Sequence, residues 1–125
     1  MSAIYPITAV FLDGTTPTDG TAPRLPYAQT IAIPAGTDAS ILVSCIGQNA
    51  AAYVTSGTIL LAVAGAVLAS GTLTSASSVT LGITASQTAV TAKVYGYSLA
   101  FLSTGNIVSS VVPESIYAIL PNEYA

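Results

Sequence analysis

Charge is what this chain most lacks. Between Asp38 and Lys93 runs a stretch, Ala39 to Ala92, without one Asp, Glu, Lys, Arg or His. Only 6 % of all residues are charged, against about a quarter in an ordinary soluble domain. Charge keeps soluble proteins apart, so so neutral a run must be covered by a core, by lipid or by other protein. Histidine is absent altogether, which removes the usual general base and the commonest metal ligand. A Ser-His-Asp or Cys-His pairing is therefore impossible. The five carboxylates, Asp13, Asp19, Asp38, Glu114 and Glu123, show no spacing that would set two of them across a cleft for glycoside hydrolysis. Gly57, Gly65 and Gly71 lie too far apart for a phosphate loop, and no Lys follows them. The chain is not expected to be an enzyme or to carry a cofactor.

Cations are as scarce. Arg24 and Lys93 are the only two, and nucleic-acid binding needs several phosphates neutralised; no direct contact with DNA or RNA is expected. The single Cys45 cannot form an internal disulfide and reads as a small buried hydrophobe. The start, Met1 to Pro6, has neither a basic segment nor an apolar h-region, so no secretory signal is expected. The longest apolar run, Ile59 to Ala69, spans eleven residues, short of the roughly 20 that cross a bilayer. No Lys or Arg flanks it to set an orientation. Two buried strands turning at Ala64-Gly65-Ala66 are expected there, and no membrane.

What the chain does have is small and β-branched: Ala, Thr, Ser and Val, with Ile, Leu and seven Tyr supplying bulk. Such residues favour a pleated surface over a helix. At 125 residues it fits one domain able to bury roughly two-thirds of its unfolded surface. Composition changes near residue 38. Five of the seven prolines, Pro6, Pro17, Pro23, Pro26 and Pro34, precede that point, with four of the charged residues. Proline resists central strand positions. Residues 1–38 therefore read as a proline-rich N-terminal arm or edge segment, with short strands near Ile7–Leu12 and Ala28–Ile33. Two readings stay open: an arm lying along a neighbouring subunit, or an edge strand and loop of the same domain. Residues 39–125 read as a β-sandwich domain.

Alternation of period two carries that reading. Ile41, Val43 and Cys45 share one face against Leu42, Ser44 and Ile46. Val79, Leu81 and Ile83 oppose Ser78, Thr80 and Gly82. From Val94 to Leu102, Tyr95, Tyr97, Leu99 and Phe101 form a large-residue face, while Gly96, Ser98 and Ala100 leave the other nearly flat. Thr104-Gly105-Asn106 supplies a tight turn, and the chain returns through Ile107–Val112, breaks at Pro113 and closes with Ile116–Leu120. Ser70 to Ser78 reads as a loop or a solvent-facing hairpin. One helical turn interrupts the strands: Thr84 followed three residues later by Gln87 is a capping-box pattern. The expected fold is all-β, a β-sandwich with one short helix and an extended N-terminal arm.

One oxygen-rich stretch, Asp13-Gly14-Thr15-Thr16-Pro17-Thr18-Asp19-Gly20, admits a calcium loop or two Asp-Gly turns. The EF-hand order is not met and turns are the plainer reading, so no metal site is assigned. Tyr95 and Tyr97 alternate into a core, whereas Tyr5, Tyr27 and Tyr124 lie in arms and termini. Exposed aromatics without neighbouring polar clusters or cations suit contact with protein.

Val79 to Ala89 (VTLGITASQTA), then Tyr95-Gly96-Tyr97-Ser98-Leu99, then a turn at Gly105, resembles small immunoglobulin-like modules of tailed-phage virions, the amino-terminal domain of baseplate upper proteins among them. There a strand ends in a Leu-Thr-x-x-Gln-Thr-Ala-like helical turn, followed by a Tyr-rich strand and a hairpin. The resemblance implies that the all-β fold is an immunoglobulin-like β-sandwich and that the chain is a structural phage protein in the virion. Among short virion proteins, capsid decoration (cement) proteins fit best, with the major capsid protein as partner and self-association into a homo-oligomer. A tail, collar or baseplate adaptor is the alternative, and a small carbohydrate-binding module a further one. The expected contact residues, chosen by position, are Tyr5, Pro6, Tyr27, Tyr117 and Tyr124.

Overall fold

The computed structural model describes residues 3–12, 17–104 and 108–121. Eight strands and one helical turn follow in order: β1 (Ala3–Phe11), β2 (Ile31–Pro34), β3 (Ala39–Gly47), β4 (Thr55–Val63), β5 (Ala66–Ala76), β6 (Ser78–Ile83), α1 (Ala85–Thr88), β7 (Val94–Ser103) and β8 (Val108–Leu120). They form two sheets, β1-β3-β6 (sheet A) and β2-β8-β7-β4-β5 (sheet B). The fold is an all-β sandwich. Its order is immunoglobulin-like: β8, β7 and β4 stand as strands G, F and C, with β5 beside them as C′, and they face β3 and β6 as B and E.

Alternation builds the core as the sequence pattern predicts. On β3, Ala39, Ile41, Val43 and Cys45 are buried while the residues between them are half-buried. Ile59 and Leu61 of β4, Leu81 and Ile83 of β6, Tyr97, Leu99 and Phe101 of β7, and Val112, Tyr117 and Ile119 of β8 complete one cluster. Ile7, Ala9, Phe11, Ile31 and Ile33 belong to the same cluster, so a single core runs across residue 38. β1 is an edge strand, parallel to β3 over its full length, and β2 is an edge strand parallel to β8. The expected strand at Ile7–Leu12 thus starts earlier, at Ala3. The one near Ala28–Ile33 is shorter and later, at Ile31–Pro34.

The apolar run Ile59–Ala69 is a hairpin. β4 and β5 join at Ala64-Gly65, where φ is 53° and 83°; two left-handed residues are what a type I′ hairpin turn requires. No helix among the described residues is long and apolar enough to cross a membrane. The expectation that both strands are buried needs correction. β4 buries Ile59 and Leu61, but β5 is an edge strand whose one fully buried residue is Leu73. Of the two readings of Ser70 to Ser78, the loop is overturned and the solvent-facing hairpin is met in part: Ser70 to Ala76 belong to the exposed strand of the β4–β5 hairpin. β5 continues to Ala76 and crosses at Ser77 into β6 of the other sheet, where the Cys45 N–H donates to Ser77 O at 2.7 Å. Gly71 sits where the strand passes close to its neighbour: a Cβ there would stand 2.6 Å from Val79 Cγ2 and 2.7 Å from Leu81 Cδ2.

Pro113 does not end a strand. β8 runs through it, and register shifts against β7 place Val111 and Pro113-Glu114 in bulges. The first bulge explains why consecutive Val111 and Val112 are both buried. The turn expected at Thr104-Gly105-Asn106 lies, beyond Thr104, outside the described residues.

Thr84 caps α1 in a full capping box: Gln87 N–H donates to Thr84 Oγ1 and Thr84 N–H to Gln87 Oε1 at 2.9 Å. The Asp38 carboxylate accepts from Ala85 N–H at 2.7 Å. Just beyond, Tyr95 at the start of β7 sends its hydroxyl back to Thr91 O at 2.8 Å, the tyrosine corner of immunoglobulin-like sandwiches. Lys93 Nζ lies 4.9 Å from the Tyr95 ring centroid, near enough for a cation–π contact.

Candidate interaction surfaces

Pairing register fixes which residues face outward, because directly opposed residues of neighbouring strands share a face. On sheet A the outward set includes Ile4 and Pro6 of β1, Leu42 and Ser44 of β3, and Thr80 and Gly82 of β6. On sheet B it runs from Ala32 and Pro34 through Ile116, Ala118 and Leu120, then Val94, Gly96, Ser98 and Ala100, to Leu60, Ala62 and Val67. Neither set contains a charge. Glu114, unpaired in the bulge of β8, nevertheless lies on the second face: it is exposed, and its carboxylate reaches over the middle of the sheet, 3.0 Å from where an outward Gly96 Cβ would stand. The flat face expected from Gly96, Ser98 and Ala100 is thus the outer surface of the larger sheet.

Four of the five expected contact residues fall within the described structure. Pro6 is exposed on β1. Its missing N–H costs no ladder bond: Thr8, two residues on, directs its N–H and C=O to Gln29 rather than to β3. Tyr5 is half-buried and packs against the core. Tyr27 is 41 % exposed, in the extended segment before β2. Tyr117 requires a correction as a surface group. It is 2 % exposed, with ring centroids 6.4 Å from both Tyr95 and Tyr97. β8 carries it inward opposite Tyr95, on the face it shares with Val111, Ser115 and Ile119. Its hydroxyl is buried without a hydrogen-bond partner, and burial, with Tyr5 and Tyr95 nearby, raises its pKa. Tyr124 lies outside the described residues.

Gln29 is the connection that the sequence reading missed. Its side chain accepts from Thr8 N–H at 2.9 Å and donates to Thr8 O at 2.8 Å. Its backbone N–H donates to Ser115 Oγ, and its carbonyl accepts the Tyr97 hydroxyl. One residue thereby ties the segment before β2 to both sheets.

Groups able to do chemistry are sparse. Among the described residues no three of His, Cys, Asp and Glu come together to hold a metal. Asp13 to Thr16 lie outside those residues. Asp19 accepts from Thr21 N–H at 3.0 Å in an Asx turn, and hydrogen bonding with Thr21 holds its carboxyl below the usual value. Cys45 is buried and free, its thiol pushed up to about 11 by burial, the opposite of an activated nucleophile. Tyr97 is likewise pushed up to about 12 by burial. A cavity of about 680 Å³ at one end of the sandwich is lined by Phe11, Tyr53, Phe101 and several Ser and Thr hydroxyls. Phe11 stacks on Tyr53 at 4.7 Å and meets Phe101 edge-on at 5.0 Å.

No family model matches the chain, and no curated protein matches it either.

Proposed function

We propose that this chain is a structural virion protein that decorates or cements a phage capsid by protein–protein packing. The observation that carries the reading is the scarcity of charge on both outward sheet faces, with Ile4, Pro6 and Leu42 on one and Val94, Ile116 and Leu120 beside the single carboxylate of Glu114 on the other. A sandwich normally needs one concealed surface, its interior; this one presents two further surfaces so poor in charge that being covered is favourable. Burying apolar area there stabilises association by roughly 25 cal/mol per Å² before the costs of ordering. The capped turn Thr84–Gln87 and the Tyr95 corner occupy the stretch that resembles phage virion modules.

The test is to add purified protein to capsids that lack it and sediment them. Decoration predicts saturable binding at hundreds of copies per particle, counted by quantitative mass spectrometry. Saturation at a few dozen copies or fewer, on tails or collars, supports the adaptor reading instead. Absence of the protein from both shells and tails refutes the proposal.

The cavity beside Tyr53 favours a second reading, a carbohydrate-binding module, because its aromatic floor and hydroxyl rim suit a sugar ring. Phe11 and Phe101 are only 4 % and 7 % exposed, so Tyr53 alone offers a stacking surface. Sugar affinity abolished by Tyr53→Ala would support this reading; no binding across a glycan array removes it.

A further inference from the structure

We infer that the side of β3 occupied by β1 is a strand-binding slot, and that it accepts β1 from a second copy of this chain as well as its own. The slot and its occupant are both in the structure. β1 pairs with β3 in parallel over all nine of its residues and sets Ile7, Ala9 and Phe11 into the core. Stripped of them, the slot would expose an apolar floor to water, so it does not stay empty. Every copy carries the strand that fits it. Little ties that strand to one body. It has no charged residue, and beyond the β3 ladder its hydrogen bonds among the described residues run only to Gln29. These contacts are the same whether the strand comes from its own chain or from a neighbour, which makes exchange a low-cost route to association.

The connection decides whether the strand can travel. β1 reaches β2 through residues 12–30, nineteen in all. Those described form neither strand nor helix and include Pro17, Pro23 and Pro26. Arg24 anchors this segment, its N–H donating to Gln48 O at 2.8 Å. Even with Arg24 kept in place, the twelve residues 12–23 reach about 40 Å when extended, against a width of roughly 35 Å for a domain of this length. Gln29 of the receiving copy then clasps Thr8 of the donated strand as it does its own. A flexible connection of this order holds its strand at an effective concentration of about 1 mM. The chain is therefore closed when dilute and exchanges strands when copies crowd to that level. Copies side by side on a shell are so crowded, and for that setting alone the inference rests on the capsid reading above.

The register supplies the probe. Ala9 stands directly opposite Cys45, both buried on one face, and neighbouring strands about 4.8 Å apart suit a disulfide. Full-length Ala9→Cys protein, an equal mixture of unlabelled and isotope-labelled chains, is equilibrated in urea below its unfolding midpoint, returned to buffer and oxidised. At about 5 µM more than ~95 % is expected to close within one chain and run as a monomer on a non-reducing gel. At about 1 mM roughly half is expected as dimers and longer ladders, with position 9 of one chain joined to Cys45 of another in mass spectra of the mixed isotopes. The wild type, with one thiol, is expected to stay monomeric at both concentrations. Far-ultraviolet circular dichroism checks folding; if Ala9→Cys does not fold, Ile4→Cys with Ser40→Cys in a Cys45→Ser chain probes the same register on the outward face. Monomer alone at about 1 mM, equal dimer in the wild type, or dimers joined at any other position overturns the inference. Exchange by a chain that fails to bind capsids refutes the capsid proposal alone, and a chain that coats capsids yet never exchanges refutes this one alone.

Discussion

Replacing Gln29 by alanine tests how the first strand is held. β1 is the outermost strand of sheet A, and its open side meets the Gln29 amide through two hydrogen bonds, at 2.9 and 2.8 Å, to the backbone of Thr8. Each such bond contributes about 0.5–1.5 kcal/mol net. Thr8 is half-buried, so water only partly replaces what is lost, and Gln29→Ala should cost about 1–3 kcal/mol. With a urea m-value of about 2 kcal/mol/M for a domain of this size, the midpoint should fall by about 0.5–1.5 M with m unchanged. Gln29→Glu is the informative control. A carboxylate still accepts from Thr8 N–H but sets a second oxygen against Thr8 O, so this near-isostere should destabilise at least as much as alanine. The backbone bonds of Gln29 to Ser115 and Tyr97 survive in both variants. An alanine variant within about 0.5 kcal/mol of wild type, or a glutamate variant as stable as wild type, would refute the reasoning.

Three further outcomes are expected. Tyr117→Phe removes a buried hydroxyl with no partner and should raise stability by about 1–2 kcal/mol; a fall in the urea midpoint would show that the hydroxyl is satisfied in solution. Gly57→Ala should cost about 3 kcal/mol or more, because at φ 157° a Cβ would stand 2.5 Å from Phe101 Cζ and 2.7 Å from Leu102 O; a melting temperature within a few degrees of wild type would contradict it. Stability should also fall in alkali. The Cys45 thiol is raised from 9.0 to about 11, and the Tyr97 hydroxyl from 10.0 to about 12, both by burial. Between those values the unfolded chain has released protons that the folded chain keeps, so their contribution is whole below about pH 9 and is lost as pH rises toward 11–12. Urea midpoints measured from pH 7 to 11 check the sign, and a midpoint that rises above pH 9 would reverse it.

Local periodicity was legible where one face is buried and the strand is regular. The inward set of β3 and the Tyr97-Leu99-Phe101 face of β7 follow from period-two alternation alone. The Thr84–Gln87 cap is equally local. Residues 70–78 left a loop and a solvent-facing hairpin both open, because a pattern of small polar residues describes either. What decides between them is the close approach of β5 to β6 at Gly71, a long-range fact. Tyr117 failed for a different reason: nearness to the C-terminal end says nothing of which way a side chain points, and across Ile116–Leu120 both alternating faces are apolar, so local pattern does not choose between them. Pairing direction lies beyond local pattern too: nothing within residues 3–11 announces that β1 runs parallel to β3.

The same long-range logic explains how so neutral a sandwich protects its edges. Sheet edges expose unpaired N–H and C=O groups, and many proteins guard them with inward-pointing or flanking charge. With 6 % of residues charged, little charge is available here, and side-chain amides take that place. The chain contains three glutamines, Gln29, Gln48 and Gln87, and each bonds the backbone of a distant segment. Gln29 occupies the open side of β1 at Thr8, Gln48 Nε2 donates to Leu12 O just beyond β1 at 3.2 Å, and Gln87 Nε2 donates to Leu68 O on the edge strand β5 at 2.9 Å. Pro6 removes a donor from the same open side of β1, and Pro34 ends the four-residue β2. An amide satisfies an edge group without adding charge, so Thr8 of β1 and Leu68 of β5 are withdrawn from strand addition at no electrostatic cost. Gln87→Ala should therefore promote edge-wise aggregation, seen by thioflavin binding, and a variant that stays as free of aggregates as wild type would refute the role given to the amide.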